Sequence, residues 1–363
     1  MNFLKNILGS KQQALKSNEN FWSWFKTRER VFFNVVKSHQ NIEQDFFDEL
    51  GPKLNELKEG YFYLTGMMND DTAELVITAD GNIKNIVFAE ELVAQAPVLN
   101  GWKFTALKEA LNIEDVNIRM GDYEFNRKNL QFYANDLENY PDEIDITVLY
   151  DELTKENEND ISIGVYIFLE NYLGELNAAT IIDRLTIIRK DQAKKELIPI
   201  EKLKSFLIWR EKEFIEKYEG IRSNADHDAY SMLEAQLENG NPLLAIINTE
   251  LLGWDSKASH PWILNYTIKF DGENTNGMPD QHTYKLLDKI EDELMAQLKD
   301  VEGYLNIGRE TANGNREIYF ACKEFRKPSK VAWKIQEKYS DQLEISYEIF
   351  KDKYWQSFKH FLP

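Results

Sequence analysis

The amino-acid sequence predicts an α+β protein of at least two domains, and three observations support this fold class. The chain has 363 residues, which is more than one hydrophobic core usually supports. Apolar residues make up 43% of it and aromatic residues 13%, which is enough for packed cores. Stretches that alternate apolar and polar residues are interspersed with segments whose apolar residues recur at helical intervals. Because the predicted helices are scattered among strands joined by short turns, an α+β fold is favoured over a regular doubly wound sheet.

The N-terminal segment predicts a flexible start followed by two helices. Residues 1–20 form an amphipathic stretch that is too short and too interrupted for a signal peptide. An aromatic cluster follows, and we expect it to anchor the first helix on a sheet, with a peptide-docking patch as the alternative; the cluster contains Phe21, Trp22, Trp24 and Phe25. The second helix contains Gly51 and Pro52, which predict a break or kink.

Residues 21–190 are predicted to form an N-terminal α+β domain. Its predicted elements are a hairpin at 61–77, a helix at 86–96, strands at 102–106, 116–120, 130–134 and 144–150, a buried helix at 161–173, and a strand or helix end at 181–188. The charged residues 191–241 have helical tendency and predict a connector. The turn cluster Asn239-Gly240-Asn241-Pro242 then marks the approach to a second folding unit.

Residues 242–363 predict a ferredoxin-like domain with the order β-α-β-β-α-β. Trp262 to Phe270 alternates as a half-buried strand, and a helix, a hairpin around Asn313-Gly314, a second helix and a fourth strand follow. We expect four antiparallel strands with two helices on one face. The residues expected to be mostly buried are Trp262, Tyr266, Ile290, Leu294, Tyr319 and Trp333.

Several motifs in the second domain carry a family resemblance. They are Met278-Pro279, Glu291-Asp292, Gly303-Tyr304, Thr311 to Phe320, Asp352 to Trp355 and Phe361 to Pro363. Residues of about 260–363 resemble the bacterial family called domain of unknown function 695. In fold order they are also similar to the regulator of ribonuclease activity B family, small acidic ferredoxin-like proteins that inhibit ribonuclease E. Neither resemblance implies a catalytic residue.

No pattern of residues indicates catalysis or cofactor binding. The five histidines form no spaced metal motif; they are His39, His227, His260, His282 and His360. Asp226-His227-Asp228 is the most metal-like cluster, but consecutive side chains point in different directions, so a solvated helix start is expected. Glycine-rich phosphate loops and the Gly-x-Ser-x-Gly nucleophile motif are absent. The sequence therefore predicts no catalytic residue, no cofactor and no metal site.

The single cysteine and the apolar pattern indicate the environment of the protein. Cys322 has no partner for a disulfide within the chain, which favours a reducing compartment and a cytoplasmic location. On an apolar strand beside Phe320 and Ala321, it is expected to be a buried core residue rather than a nucleophile. No run of 18 apolar residues exists, so no membrane span is predicted.

The charge distribution indicates which partners to expect. The net charge is −19, of which −16 lies in residues 1–249 and −3 in residues 250–363. This field repels phosphate backbones, so nucleic-acid binding is not expected. The acidic excess favours solubility, and the alternative is an acidic face that meets a basic protein partner.

The hairpin of the second domain is locally basic; its cations are Arg309, Arg316, Lys323, Arg326 and Lys327. Cross-strand pairing with Glu310, Glu317 and Glu324 is expected, and an anion or partner site is the alternative. Together with the missing chemistry, the family resemblance favours a non-enzymatic protein-binding or regulatory module, with ribonuclease regulation as one form of it. The alternative is a hydrolase or other enzyme of unrecognised type with a site between the domains.

Overall fold

The computed structural model describes residues 17–221 and 228–362. Its contacts divide the chain into two compact units, the first made of Met1–Asn129 with Leu153–Ala179 and the second of Leu130–Glu152 with Thr180–Pro363. This division differs from the predicted boundaries at residues 190 and 241. The reason is that three strands between residues 131 and 188 belong to one sheet of the second unit.

The α-helices of the described residues lie between Asn18 and Tyr339. The α-helices are α1 (Asn18–Ser38), α2 (Asp48–Leu57), α3 (Ile83–Ala94), α4 (Glu158–Leu173), α5 (Glu175–Thr180), α6 (Leu203–Tyr218), α7 (Thr249–Leu252), α8 (Gln281–Gln297) and α9 (Arg326–Tyr339). A π-helical turn (Glu43–Phe47) precedes α2, and a 3-10 helix (Gln356–Phe361) follows the last strand. Among the residues described, no helix combines the length and the apolar character that a membrane crossing requires.

The strands of residues 17–221 and 228–362 form four sheets. They are β1 (Phe62–Asn69), β2 (Thr72–Thr78), β3 (Trp102–Ala106), β4 (Asn117–Met120), β5 (Tyr123–Asn126), β6 (Gln131–Asn135), β7 (Asp145–Leu149), β8 (Arg184–Ile188), β9 (Ile198–Pro199), β10 (Tyr230–Gln236), β11 (Pro242–Asn248), β12 (Trp262–Lys269), β13 (Tyr304–Ala312), β14 (Asn315–Cys322) and β15 (Glu344–Lys351). Their orders are β1-β2-β3, β4-β5, β8-β7-β6-β9 and β10-β11-β13-β14-β12-β15. The α+β class predicted from the sequence is confirmed.

The aromatic cluster of the first unit packs α1 onto a sheet. Ser17 caps the helix, since its Oγ accepts from the Asn20 N–H at 3.2 Å. Trp22 lies 4.6 Å from Phe104 on β3, measured between ring centroids, and its indole nitrogen donates to the Leu92 carbonyl of α3. The prediction that these aromatics anchor the first helix is therefore confirmed. The peptide-docking alternative loses its basis, because Phe21, Trp22 and Phe25 are buried.

Two local expectations in the first unit need correction. The helix does not break at Gly51 and Pro52, because α2 runs through both to Leu57 with Leu50 and Leu54 fully buried on either side, while the alternative of a kink stays a prediction. Proline costs one helical hydrogen bond, and this packing keeps the helix continuous. The flexible start predicted for residues 1–20 lies largely outside the described residues, and its last residues begin α1 at Asn18.

The six-stranded sheet contains the ferredoxin-like order. Strands β12, β13, β14 and β15 alternate with α8 and α9 along the chain, and they lie in the order β13-β14-β12-β15 with every pair antiparallel. Helices α8 and α9 pack together, and Ile290 and Leu294 of α8 are buried. The opposite face is also covered, since Trp355, Phe358 and Phe361 of the C-terminal segment join its core.

Burial in this domain follows the alternation of the sequence. Trp262, Tyr266 and Tyr319 are buried as expected from their strand positions, and so are the two α8 residues Ile290 and Leu294. Trp333 on α9 is mostly buried as well, though less completely than these five residues. The buried stripe of α9 runs through Val331, Ala332, Ile335 and Tyr339.

The main difference from the predicted fold is a hairpin that precedes the ferredoxin-like strands. Residues 191–241 are not a purely helical connector, because β10 pairs with β11 and β11 pairs with β13, extending the sheet by two strands. The turn cluster Asn239 to Pro242 joins these two strands instead of separating two domains. The alternation in β10 is weak in the sequence because its two faces are not clearly apolar and polar.

Candidate binding site on the six-stranded sheet

Strand β10 is the outermost strand at one side of the six-stranded sheet, and none of the residues that the structure describes pairs with its outer edge. At its two ends, the Thr249 N–H donates to the Ala229 carbonyl and the Leu237 N–H to the Asn241 carbonyl. Because backbone groups alternate in direction along a strand, the odd-numbered residues of β10 face β11. The N–H and C=O groups of Tyr230, Met232, Glu234 and Gln236 therefore point to the free edge, where another extended chain can pair with them.

A trough of about 240 Å³ lies beside this edge, on the face of the sheet that carries α8 and α9. The register places Met232 opposite Ile246, and Ile246 opposite Arg309. The remaining lining residues come from β11, β13, β14, the loop before α8 and α8 itself; they are Leu244, Thr311, Arg316, Met278, Pro279 and Tyr284. The trough exists because α8 covers the ferredoxin-like strands and leaves the face of β10 and β11 open. Met232 is 65% exposed and Tyr284 43%, so an apolar surface remains accessible there.

An ion-pair network lies below the trough. The Arg309 guanidinium donates to the Glu291 carboxylate at 2.7 Å, and Arg316 donates to Asp288 at 2.9 Å and lies 3.8 Å from Glu291. Arg316 also lies over the ring of Tyr284, 5.2 Å from its centroid. The side chains of Arg316 and Glu291 are only 3% and 8% exposed. Burial raises the pKa of Glu291, and the two arginines oppose this effect.

This network corrects the prediction that the basic hairpin pairs across its strands. Arg309 and Arg316 pair with the helix α8, while Glu310 and Glu317 lie directly opposite each other on the other face of the sheet. Burial and the neighbouring Glu317 raise the pKa of Glu310. Lys327 pairs with Glu302, and the ammonium groups of Lys323 and Lys327 both lie over the ring of Tyr304, away from the Arg309 and Arg316 pairs with α8. The five cations thus do not form a single basic surface.

On the face of the sheet that carries the trough, the side chains at the Tyr230 end of β10 are polar. The Tyr230 hydroxyl lies 3.3 Å from Oδ1 of Asn306 on β13. The amide nitrogen of Asn306 has no acceptor within the described part of the chain, although the residue is only 6% exposed. Burial, together with Asp228 and Asp300, raises the pKa of Tyr230 to about 12. A buried donor without an acceptor is costly, so the Asn306 amide lowers the stability of this part of the sheet.

The histidines do not converge on a site. His39 ends α1, His282 lies in the first turn of α8 and His360 is exposed near the C-terminus. His260 is buried, with Nδ1 2.9 Å from the Ser259 hydroxyl. Asp226 and His227 lie outside the described residues. Across 17–221 and 228–362, no group of three or more metal-ligating side chains is arranged around a common point.

The Cys322 side chain belongs to the core of the six-stranded sheet. It is 1% exposed at the end of β14, opposite Trp262 on β12. Burial raises the pKa of its thiol well above the usual range. A protonated thiol is a poor nucleophile, which agrees with the interpretation of Cys322 as a core residue.

Sequence reasoning missed the residues that form the edge and the polar end, namely β10 and Asn306. The available signal was the alternation of Tyr230, Met232 and Glu234 with Ser231, Leu233 and Ala235. In contrast, the motifs that carry the family resemblance include Met278, Pro279, Glu291, Thr311 and Arg316. The structure brings these five residues together around one trough.

Comparison with known proteins gives one match. Residues 233–363 match the model of a family described as "Family of unknown function (DUF695)". The match begins inside β10 and so includes the added hairpin that the predicted domain boundary at residue 242 left out. No curated protein and no solved structure matches the chain. The weaker similarity to the regulator of ribonuclease activity B is not shown by these comparisons.

Proposed function

From the match of residues 233–363 to the model of the DUF695 family of unknown function, we propose that this part of the chain is a non-enzymatic protein-binding module. Its ligand is an extended segment of a partner protein that pairs with the free edge of β10. The single observation that carries the proposal is the coincidence of an unpaired strand edge with an accessible apolar trough beside it. Main-chain pairing supplies affinity in this mode, and pockets for alternate side chains supply specificity.

The chemistry of the trough specifies the segment. The charges of Arg309 and Arg316 are balanced by Glu291 and Asp288, so the trough has no net charge to attract an ionic side chain. Met232 forms its outer lip and Ile246 its floor, and a long apolar side chain from an added strand can reach across that lip. The expected segment therefore carries alternate large apolar residues.

The test uses a library of random peptides displayed on phage, selected against the whole chain. We expect enriched sequences with alternate apolar residues. Glu234→Pro removes an N–H that faces the free edge, and proline is tolerated at such edge positions. It should weaken binding of an enriched peptide roughly tenfold or more, since it removes a main-chain hydrogen bond and blocks close approach.

Two matched variants accompany this test. Glu234→Ala removes the same side chain but keeps the N–H, so it should bind like the original chain. Ile246→Asp places a charge in the trough and should abolish binding, whereas Met295→Asp on the exposed side of α8 should not. The proposal fails if no peptide is enriched, or if enriched peptides bind Glu234→Pro and Glu234→Ala equally well.

A separate cleft supports the alternative of a basic partner. It has a volume of about 330 Å³ and is lined by Glu138, Asp145 and the 53% exposed Trp209, among others. Glu138 makes no hydrogen bond or ion pair with any described residue, and a carboxylate beside an aromatic ring suits an arginine side chain. If this cleft rather than the trough holds the partner, association should slow as salt is raised, because exposed charges are screened.

A further inference from the structure

A third cleft, in the first unit, has the features of a small-molecule site and is independent of the function proposed above. It has a volume of about 400 Å³ and lies at the end of the three-stranded sheet where β1 begins and β2 and β3 end. Strands β2 and β3 are parallel, so their carboxyl ends meet at this edge. Ligands commonly bind in crevices at the carboxyl ends of parallel strands.

A buried carboxylate joins the two strand ends. Glu175, which is 1% exposed at the start of α5, accepts hydrogen bonds from the backbone N–H groups of Ala79, Gly81 and Lys108 at 3.0–3.1 Å. It also accepts one from the Thr78 hydroxyl at 2.5 Å. These four donors fix the loops that follow β2 and β3. The Asp80 backbone is held in the left-handed region with φ 51°, so its side chain has a set position at the mouth of the cleft.

Negative charge exceeds positive charge at this position. The Lys108 ammonium donates to Asp80 at 2.7 Å and to Glu170 at 3.0 Å. The ammonium of Lys108, which lines the cleft beside Asp80, thus pairs with two carboxylates, and a third, Glu175, accepts from the backbone N–H of the same lysine. Burial raises the pKa of Glu170, and the charges of Glu175 and Asp80 add to that effect. Asp80 is half exposed, and its second oxygen accepts no hydrogen bond within the described residues.

The other side of the cleft is apolar. Phe62 and Leu64 at the start of β1 are 51% and 50% exposed, and both line the cleft with Tyr63. A ligand that satisfies both sides has an apolar body and a positively charged head. The carboxylate of Asp80 can accept charge-assisted hydrogen bonds from such a head, and the ring of Phe62 can cover the body.

We propose that this cleft binds a small molecule in which a protonated primary amine is attached to an apolar body, with Asp80 accepting from the amine and Phe62 covering the body. The proposed contacts combine a free carboxylate oxygen with an exposed aromatic surface in one cleft. They use no residue of β10 or of the trough.

The experiment is isothermal titration of the whole chain with 2-phenylethylamine and with 2-phenylethanol at pH 7. The two probes share the same apolar body, and only the first carries an ammonium group. We expect the amine to bind at least roughly tenfold more tightly than the alcohol, the scale of a charge-assisted hydrogen bond. Equal affinities, or no measurable amine binding, would overturn the proposal.

Variants separate the two contacts. Asp80→Asn keeps a residue type that tolerates the left-handed backbone and should lower amine affinity roughly tenfold. Phe62→Ala changes an exposed position, so the fold should persist, and it should weaken both probes. Asp71→Asn in the turn before β2, at the opposite end of that strand, should change neither affinity. Unchanged amine affinity in either Asp80→Asn or Phe62→Ala would contradict the assigned contacts.

Discussion

Replacing Glu291 by glutamine tests whether the buried ion-pair network holds the floor of the trough. The substitution keeps the shape of the side chain and removes the charge that Arg309 contacts at 2.7 Å and Arg316 at 3.8 Å. Breaking a buried pair by removing one partner costs about 3–5 kcal/mol. The lower end applies here, because the Arg309 side chain is 21% exposed and Arg316 retains Asp288. We therefore expect a loss of about 3 kcal/mol in the free energy of unfolding.

This loss of unfolding free energy should be measured for the C-terminal sheet separately from the rest of the chain. Hydrogen-exchange mass spectrometry at increasing urea concentration follows peptides from β12 to β15 separately from the rest of the chain. With a urea dependence of about 2 kcal/mol per molar, the midpoint should fall by roughly 1.5 M. Asp292→Asn is the matched control, since this neighbouring carboxylate is exposed and should change the free energy by less than about 0.5 kcal/mol. If Glu291→Gln and Asp292→Asn have the same small effect, the reasoning about the network is wrong.

Other predictions concern single sites. Burial alone would raise the pKa of Asp142, but hydrogen bonds from Lys217 and two tyrosine hydroxyls hold it below its usual value. Its stabilisation is therefore present above the unfolded pKa and lost as pH falls through the lower folded pKa, so Asp142→Asn should lower the melting temperature at pH 7 and not at strongly acid pH. Cys322 should react with a thiol reagent only after unfolding, as measured by absorbance, and fast reaction of the native chain would contradict its burial. Gly164→Ala should destabilise the first unit by about 1–3 kcal/mol in thermal unfolding, because a Cβ there would lie 2.1 Å from the Phe125 ring; a stabilised variant would show that the ring gives way. A chelator should leave the melting temperature unchanged, and a fall of several degrees would reveal a structural metal.

The sequence was most informative in segments where the apolar residues follow a single periodicity, either that of a strand or that of a helix. Trp262 to Phe270 alternates strongly, and α8 repeats its apolar residues at helical intervals, so both elements and their order could be predicted. The α+β class followed from that contrast between the two periods. Strand β10 was missed because Glu234 and Gln236 make its sequence look like the charged helix before it.

The candidate site was less predictable than the fold, since its contacts join distant positions. Arg316 and Asp288 are 28 residues apart, and cross-strand neighbours were the simpler partners to expect. Only the packing of α8 over β13 and β14 shows that carboxylates of this helix pair with Arg309 and Arg316. The free edge of β10 likewise depends on strand order, which local patterns do not determine.

The most direct test of edge pairing at β10 is amide hydrogen exchange of the whole chain with and without a library-selected peptide. In the free chain, the outward N–H groups of Met232 and Glu234 should exchange quickly, while those of Leu233 and Ala235 are protected by β11. Edge pairing should slow exchange at Met232 and Glu234 when the peptide is bound and leave exchange at Leu233 and Ala235 unchanged. Protection that appears elsewhere, with the outward groups of β10 still exchanging quickly, would contradict it.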